Sequence, residues 1–413
     1  MSDARFLQSD RSRGFTLIEL MVAITAGLFV AIGAFALARQ GSRFFQQEAR
    51  IANAQFSATV GFDRLRADIA RAGFLTTANV QRDPFRCGST AGWPSPGMPS
   101  LSAIRIIGAT PTAVQDAVNG LAPDQITLTG SYTTVESFPI RNVEIAGGKY
   151  QVTLQQNNGG MTRASVGADG GGLGTIFQTG RVLRLLDATG HYEFASIDGS
   201  GVNPAGEIVV SLKVNPPIAF KRDATATCGV EGFGVGMQAT VVNTIRYEVR
   251  DLKAADLPQY RPLYATSASA PGDGNRYELV RVELDSAGAE MDGTLELIAE
   301  YAVDLRFGLT VATTSGIDPS LTEFPIGDSR IYDYAFDVAA KPTTPGPERI
   351  RAVRARLAVR SREGDRASGV TAPAGAPPGA MFRYSMGGDG GSYARARTLT
   401  ADIQLPNLAS VAW

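Results

Sequence analysis

Arg13-Gly14-Phe15-Thr16-Leu17-Ile18-Glu19 opens a run that stays apolar as far as Ala38, broken only by the carboxylate of Glu19. Phe15 to Ala38 is twenty-four residues, and the nineteen from Leu20 to Ala38 carry no charge. As a helix those nineteen alone would span about 28 Å, enough for the hydrocarbon core of a bilayer. A carboxylate in such a segment costs roughly 2.5–3.5 kcal/mol even on insertion scales, so its presence calls for a function. The flanks are equally informative. A secretory signal has a basic start, a short apolar core and a cleavage site after that core. Here Arg5, Arg11 and Arg13 precede Gly14, and the apolar run follows it. The arginines favour a cytoplasmic N-terminus with the remainder on the far side of the membrane.

The helical pattern continues beyond the apolar run. Arg39 to Ala72 has no proline and is rich in strong helix formers. Ala58, Phe62, Leu65, Ile69 and Ala72 recur at steps of four and three, which predicts one buried stripe on an otherwise polar helix. Gly73 supplies a stop. One helix from Phe15 to about Ala72 would be roughly 87 Å long by its rise. After Gly73 the pattern turns to period two. Ile104–Ile107, Gln125–Thr129, Tyr150–Leu154, Arg181–Leu186, Glu207–Val214 and Thr244–Arg250 read as strands. Asn157–Gly174, Ser267–Asn275 and Gly364–Gly391 read as loops dense in Gly, Ala, Ser, Asn or Pro. The fold class is therefore α+β: a long N-terminal helix, with a transmembrane half and an amphipathic half, packed on a large β-rich head.

The segment Arg13–Glu19 strongly resembles the cleavage and methylation motif of type IV prepilins and type II secretion pseudopilins. The resemblance implies a cytoplasmic leader over 1–14, removed by a prepilin peptidase that cuts between Gly14 and Phe15 and methylates the new amine of Phe15. It also implies that Glu19 pairs with a methylated amine on a neighbouring subunit during assembly. The domains it implies are leader 1–14, helix 15–73 with its membrane part at 15–38, and an exported head over 74–413. Phe62–Phe74 resembles the helix end of PilW-type minor pilins and of the related pseudopilin GspJ. Thr244–Tyr247, Pro262–Tyr264, Glu296–Phe307, the arginine-rich stretch 349–362 and Arg397–Leu405 follow in the order PilW-type proteins show. That resemblance implies a place in pilus initiation, with the major pilin, other minor pilins and a PilY1-like tip protein as partners. It implies the inner membrane first and the pilus tip afterwards.

The remaining inventory bounds what else the chain does. Thirty-nine basic residues against forty acidic ones give no reason to expect a nucleic-acid partner. Six arginines in Arg349–Arg362 invite a phosphate-binding reading. The alternation with Val353, Ala355, Leu357 and Val359 favours a strand whose other face is solvated or acid-paired. His191 is the single histidine, in a segment that reads as strand, and supplies neither a catalytic nor a metal cluster. No nucleophile motif, H-E-x-x-H or Cys-x-x-Cys occurs, so no enzyme, cofactor or metal is expected. The Gly272–Asn275 loop falls short of a calcium pattern. Cys87 and Cys228 both lie in the exported head, where oxidising conditions would let them bond. A type II secretion pseudopilin and, more distantly, an anchored periplasmic enzyme are the alternative readings.

Overall fold

In a computed structural model of the chain, residues 15–108, 116–155, 172–221, 236–255, 276–314, 319–335, 346–362, 379–386 and 393–411 are described, with a few isolated positions between them. Gly14, Pro262–Tyr264 and Gly272–Asn275 lie outside these residues, as do most of the three loops. The chain forms two compact units, Met1–Asn53 and Ala54–Trp413. The first helix, α1 (Leu17–Ala70), contributes to both.

Within the larger unit, the end of α1 packs as its periodicity requires. Ala58, Phe62, Leu65, Ile69 and Ala72 are all buried in one core. Gly73 follows with φ +79°, the left-handed conformation that glycine adopts at no steric cost and that stops the helix. At Gly61 the helix comes so close to the sheet that a Cβ would sit 2.7 Å from the carbonyl oxygen of Ile298.

Two antiparallel sheets meet around this core. The first contains β1 (Ile104–Ile107), β2 (Gln125–Gly130), the second half of β8 (Gln238–Arg250), β9 (Glu278–Leu284) and β10 (Glu296–Glu300). The second has the order β12 (Leu321–Phe324), β11 (Ala302–Ala312), β13 (Ile350–Arg360), β15 (Tyr393–Gln404), β14 (Arg383–Ser385). Ile106, Leu128, Ile245 and Tyr247 of the first sheet and Phe307, Val353 and Leu357 of the second share the core with the α1 stripe.

Between β2 and the second half of β8 the chain inserts a closed barrel. It comprises β3 (Phe138–Ala146), β4 (Lys149–Leu154), β5 (Val182–Leu186), β6 (Tyr192–Val202), β7 (Ile208–Leu212) and the first residues of β8. The pairing runs β3-β4-β7-β6-β5, and the ring closes because β8 pairs with β5 on one side (Leu185↔Ala239) and β3 on the other (Phe138↔Ala239). Closure removes the exposed edges that an open sheet would present. Its interior is filled by a second, separate core that includes Phe138, Val152, Leu185, Ala195, Val210 and Val241.

Three sequence expectations need correction. The stretch Gly364–Gly391 is not all loop: it contains β14, held because Tyr384 buries its ring in a small cluster with Val303, Ala358 and Ala394. The stretch Asn157–Gly174 runs into a short helical turn, Leu173–Ile176, whose Leu173 is buried in the barrel core. His191 stands just before β6 rather than on it, in a turn organised by Asp187, which accepts from the backbone N–H of Thr189 and of His191, both at 2.8 Å.

One barrel residue predicts a pH dependence. Glu193 precedes Ala195 by two on β6 and is buried, and its Oε1 has no hydrogen-bond partner. Burial raises its pKa to about 8, against the pull of the nearby Arg86 guanidinium and a backbone hydrogen bond from Ala219. The folded state thus keeps a proton that the unfolded chain loses near its ordinary value of 4.5. Stability should therefore fall as pH rises from about 4.5 to about 8 and then level, by on the order of 4 kcal/mol. Glu193→Gln should flatten that decline and be the more stable form at pH 9. Chemical denaturation across pH measures this, and parallel curves for both proteins would refute it.

Candidate membrane and assembly site

The start of α1 explains how a carboxylate is accommodated in an apolar segment. Thr16-Leu17-Ile18-Glu19 has the spacing of a capping box, in which the side chains at the first and fourth positions satisfy each other's backbone donors. The geometry follows that pattern. The backbone N–H of Glu19 donates to Thr16 Oγ1 at 3.2 Å, and the backbone N–H of Thr16 donates to Glu19 Oε2 at 3.0 Å. The Thr16 hydroxyl adds a further hydrogen bond to the same oxygen at 2.9 Å. The helix accordingly begins at Leu17 and not at Phe15.

Among the described residues one helix, Leu17–Ser42, is long and apolar enough to cross a membrane. Its twenty-six residues would rise about 39 Å, more than the hydrocarbon thickness. Phe15, Leu17, Ile18, Leu28, Phe29 and Phe35 are all exposed, so this segment has no apolar partner among the described residues. Water is a poor solvent for such a surface, and lipid tails or other apolar helices are good ones.

The other residues singled out in sequence fall elsewhere. Gly14 is outside the described residues, and Phe15 begins them. The structure brings Cys87 and Cys228 together in a disulfide, with Cα atoms 5.5 Å apart. Val353, Ala355, Leu357 and Val359 of the arginine-rich strand are buried, and the arginines are engaged. Arg354 pairs with Asp402 at 2.6 Å, Arg356 with Asp304 at 3.1 Å, and Arg351 donates to the carbonyl of Val411 at 2.8 Å. Arg360 departs from the expected solvated face. It is fully buried, its guanidinium 5.0 and 5.3 Å from the ring centroids of Tyr301 and Tyr384. Among the described residues no group of three or more His, Cys, Asp or Glu side chains is arranged to hold a metal ion.

Sequence reading passed over two residues. Thr16 was detectable from the T-x-x-E spacing. Asp68, buried on the α1 stripe, accepts from Tyr247 Oη at 2.7 Å and Arg281 Nε at 2.9 Å. It was not detectable, because its partners lie 179 and 213 residues away.

Residues 9–35 match the family model of the prokaryotic N-terminal methylation motif. The match covers the basic flank, the Gly14–Phe15 bond, the capping box and most of the apolar helix. It supports a type IV pilin- or pseudopilin-like protein, a structural class whose members are processed by a prepilin peptidase and associate with other pilins. The motif and the exposed apolar helix together fit anchoring in the inner membrane. No curated protein and no solved structure matches the chain.

Proposed function

We propose that the chain is a low-copy minor pilin of the PilW type, which helps to initiate type IV pilus assembly and remains in the complex at the pilus tip. The observation that carries this reading is the head. Two sheets on the pilin helix, with a whole barrel inserted between β2 and β8, make a bulky unit to repeat at every step of a thin filament. Its roughly 340 residues imply a radius of gyration near 20 Å. A single copy at the end of a filament has no such crowding.

On this reading residues 1–14 are a leader, 15–73 the assembly helix and 74–413 the exported head. Cleavage after Gly14 exposes Phe15, whose methylated amine remains cationic. Glu19 then exchanges its bonds to Thr16 for a neighbouring subunit's amine, which sets the register between helices. A PilY1-like tip protein and other minor pilins complete the complex. Mass spectrometry of sheared pili tests processing and copy number together. It should find the chain beginning at methylated Phe15, far below the major pilin in amount. A deletion strain should retain major pilin in the inner membrane while losing surface pili. Near-equal stoichiometry along the filament, or normal piliation in the deletion strain, would sink the proposal. A secretion defect with normal pili would instead identify a GspJ-like pseudopilin.

Glu19→Val separates membrane insertion from assembly. It removes a desolvation cost of roughly 2.5–3.5 kcal/mol, so membrane insertion should be at least as efficient as in the native chain. Incorporation into pili should nevertheless drop severely, because the neighbour's amine loses its partner. Normal incorporation at native expression would remove the pairing role.

A further inference from the structure

The face of the first sheet turned away from α1 is polar. Ile126 and Leu128 of β2 belong to the core, so Thr127 between them points the other way. The register sets Thr127 between Arg105 of β1 and Arg246 of β8, one row across three strands. Thr129 and Thr244 pair in the next row on that face. A cover lies over these rows. The backbone N–H of Gly97 donates to the carbonyl of Ala287 at 3.1 Å, and that of Met98 to the carbonyl of Ser286 at 2.9 Å. Glycine is required at 97, where a Cβ would stand 2.4 Å from the Ser286 carbonyl oxygen. Sheet and cover bound a cavity of about 60 Å³, whose walls include Ser100, Thr127, Thr129, Thr244, Arg246 and Asp285. Two of these walls carry groups that lack a partner among the described residues. Thr127 is 5% exposed, and its hydroxyl has none. Arg246 bonds Glu248 and Glu290 through Nη2, but its buried Nε–H has no acceptor. Such groups cost the fold free energy until something accepts from them. Asp285 offers the opposite. Its Oδ1 accepts from the backbone N–H of Ala287 at 2.9 Å and of Ala289 at 2.8 Å, and among the described residues no donor reaches Oδ2.

We infer that this cavity is a binding site for inorganic phosphate. Thr127 Oγ1 and Arg246 Nε donate to phosphate oxygens, and the phosphate hydroxyl donates to Asp285 Oδ2. A single water needs roughly 10–15 Å³, so the space suits one four-oxygen ion or a small group of waters. Water would serve the hydroxyl alone. An anion also gives the guanidinium a charge-assisted bond, about twice as strong as a neutral one. Arg246, Arg250, Glu248 and Glu290 neutralise one another, so the site selects by hydrogen bonding and not by excess charge. Arg105 closes the row but has an interaction of its own, and the site does not draw on it. Asp285 sets the choice among anions. At pH 8 inorganic phosphate keeps one proton to donate, sulfate has none, and a phosphate monoester, with its second pKa at about 6, has lost both. The site lies wholly in the head and does not depend on the place of the chain in a pilus.

Thermal unfolding of the full-length chain in neutral detergent at pH 8 tests it, with sodium phosphate titrated against sodium sulfate and glycerol phosphate at matched ionic strength. Phosphate should raise the melting temperature along a saturating curve, beyond the general salt effect that sulfate shares. Thr127→Val keeps the shape and removes the hydroxyl. It should raise the half-saturating phosphate concentration at least ~10-fold, as the loss of a hydrogen bond to a charged group predicts. Without phosphate its melting temperature should hold or rise, because an unpartnered buried hydroxyl is gone. Arg246→Lys keeps a cation beside Glu248 and Glu290 but not the Nε donor, and should weaken phosphate by a similar factor. Asp285→Asn should let sulfate act as well as phosphate. A phosphate response no larger than that of sulfate would mean that the cavity holds water only and would overturn the inference. So would half-saturation indifferent to Thr127→Val and Arg246→Lys, or a phosphate-free melting temperature lowered by Thr127→Val. Tighter binding of glycerol phosphate would also overturn it, by assigning the cavity to a phosphorylated partner.

Discussion

Asp68→Ala should destabilise the head by about 3–5 kcal/mol, the loss expected when one partner of a buried charged pair is removed. Asp68 belongs to the part of α1 that packs on the first sheet, next to Ile69 and three residues after Leu65, both fully buried. Its carboxylate accepts from Arg281 of β9 and Tyr247 of β8, with Arg64 at 3.8 Å toward the surface. Its carbonyl oxygen accepts from Tyr132 Oη at 3.0 Å. Burial, with the Asp68 carboxylate beside it, raises the Tyr247 phenol above its ordinary value, so it remains a donor at every working pH. Alanine would leave Arg281 charged and largely buried with only the outlying Glu296, 3.4 Å away, to compensate it. Asp68→Asn keeps the shape and an acceptor but not the charge, and should fall between. Urea unfolding of the full-length chain, compared with Leu65→Ala at about 2–5 kcal/mol, gives the scale. A loss below about 1 kcal/mol for Asp68→Ala would show that hydrophobic contacts alone hold the helix.

The contrast between Asp68 and its neighbours shows what the sequence made legible. The α1 stripe was readable because helical period and burial are local: five apolar residues at steps of four and three can share only one face. Strand segments were readable for the same reason, and Ile104–Ile107 has the boundaries that alternation predicts. Closure of the barrel was not readable. It requires one half of β8 to pair with both β5 and β3 while its other half pairs with β2 and β9. The pattern of Gln238–Arg250 changes from an uncharged, continuously buried first half to an alternating second half, but it does not say which strands either half pairs with. The division is set by partners far away in sequence. The N-terminal motif, the proposed assembly site, lies at the other extreme. A basic flank, Gly14, a capping-box Thr16 and Glu19, and an apolar run are contiguous, so the motif at that end is legible without a fold. Thr127 and Arg246 lie far apart in the chain and become neighbours only through strand register.

Breaking the Cys87–Cys228 bond should cost about 5 kcal/mol by the chain-entropy model, among the largest single effects available in the head. The two residues are 141 positions apart, and the loop they close contains β1 to β7. Local contacts place the bond at a junction. The backbone N–H of Tyr192 donates to the carbonyl of Phe85 at 3.0 Å, and that of Cys87 donates to the carbonyl of Tyr192 at 3.1 Å. Residues 85–87 are thereby laid against the start of β6. On the other side, Phe220 and Val230 form a bridge that flanks Cys228 and adds both side chains to the barrel core. The disulfide thus fastens the segment after α1 to the barrel, where regular structure is sparse, alongside a buried cluster in which Val80, Trp93, Met98 and Leu101 pack against Val182, Tyr192 and Phe194. Cys87→Ser with Cys228→Ser should lower the unfolding midpoint markedly. It should raise amide exchange over residues 77–103 and in β5 and β6, and leave β11, β13 and β15 protected. Reduction of the native protein should reproduce that pattern, and the double variant should not respond to reductant at all. Two thiols labelled in denatured, unreduced protein, or a midpoint unmoved by full reduction, would show that the barrel holds its neighbour without the bond.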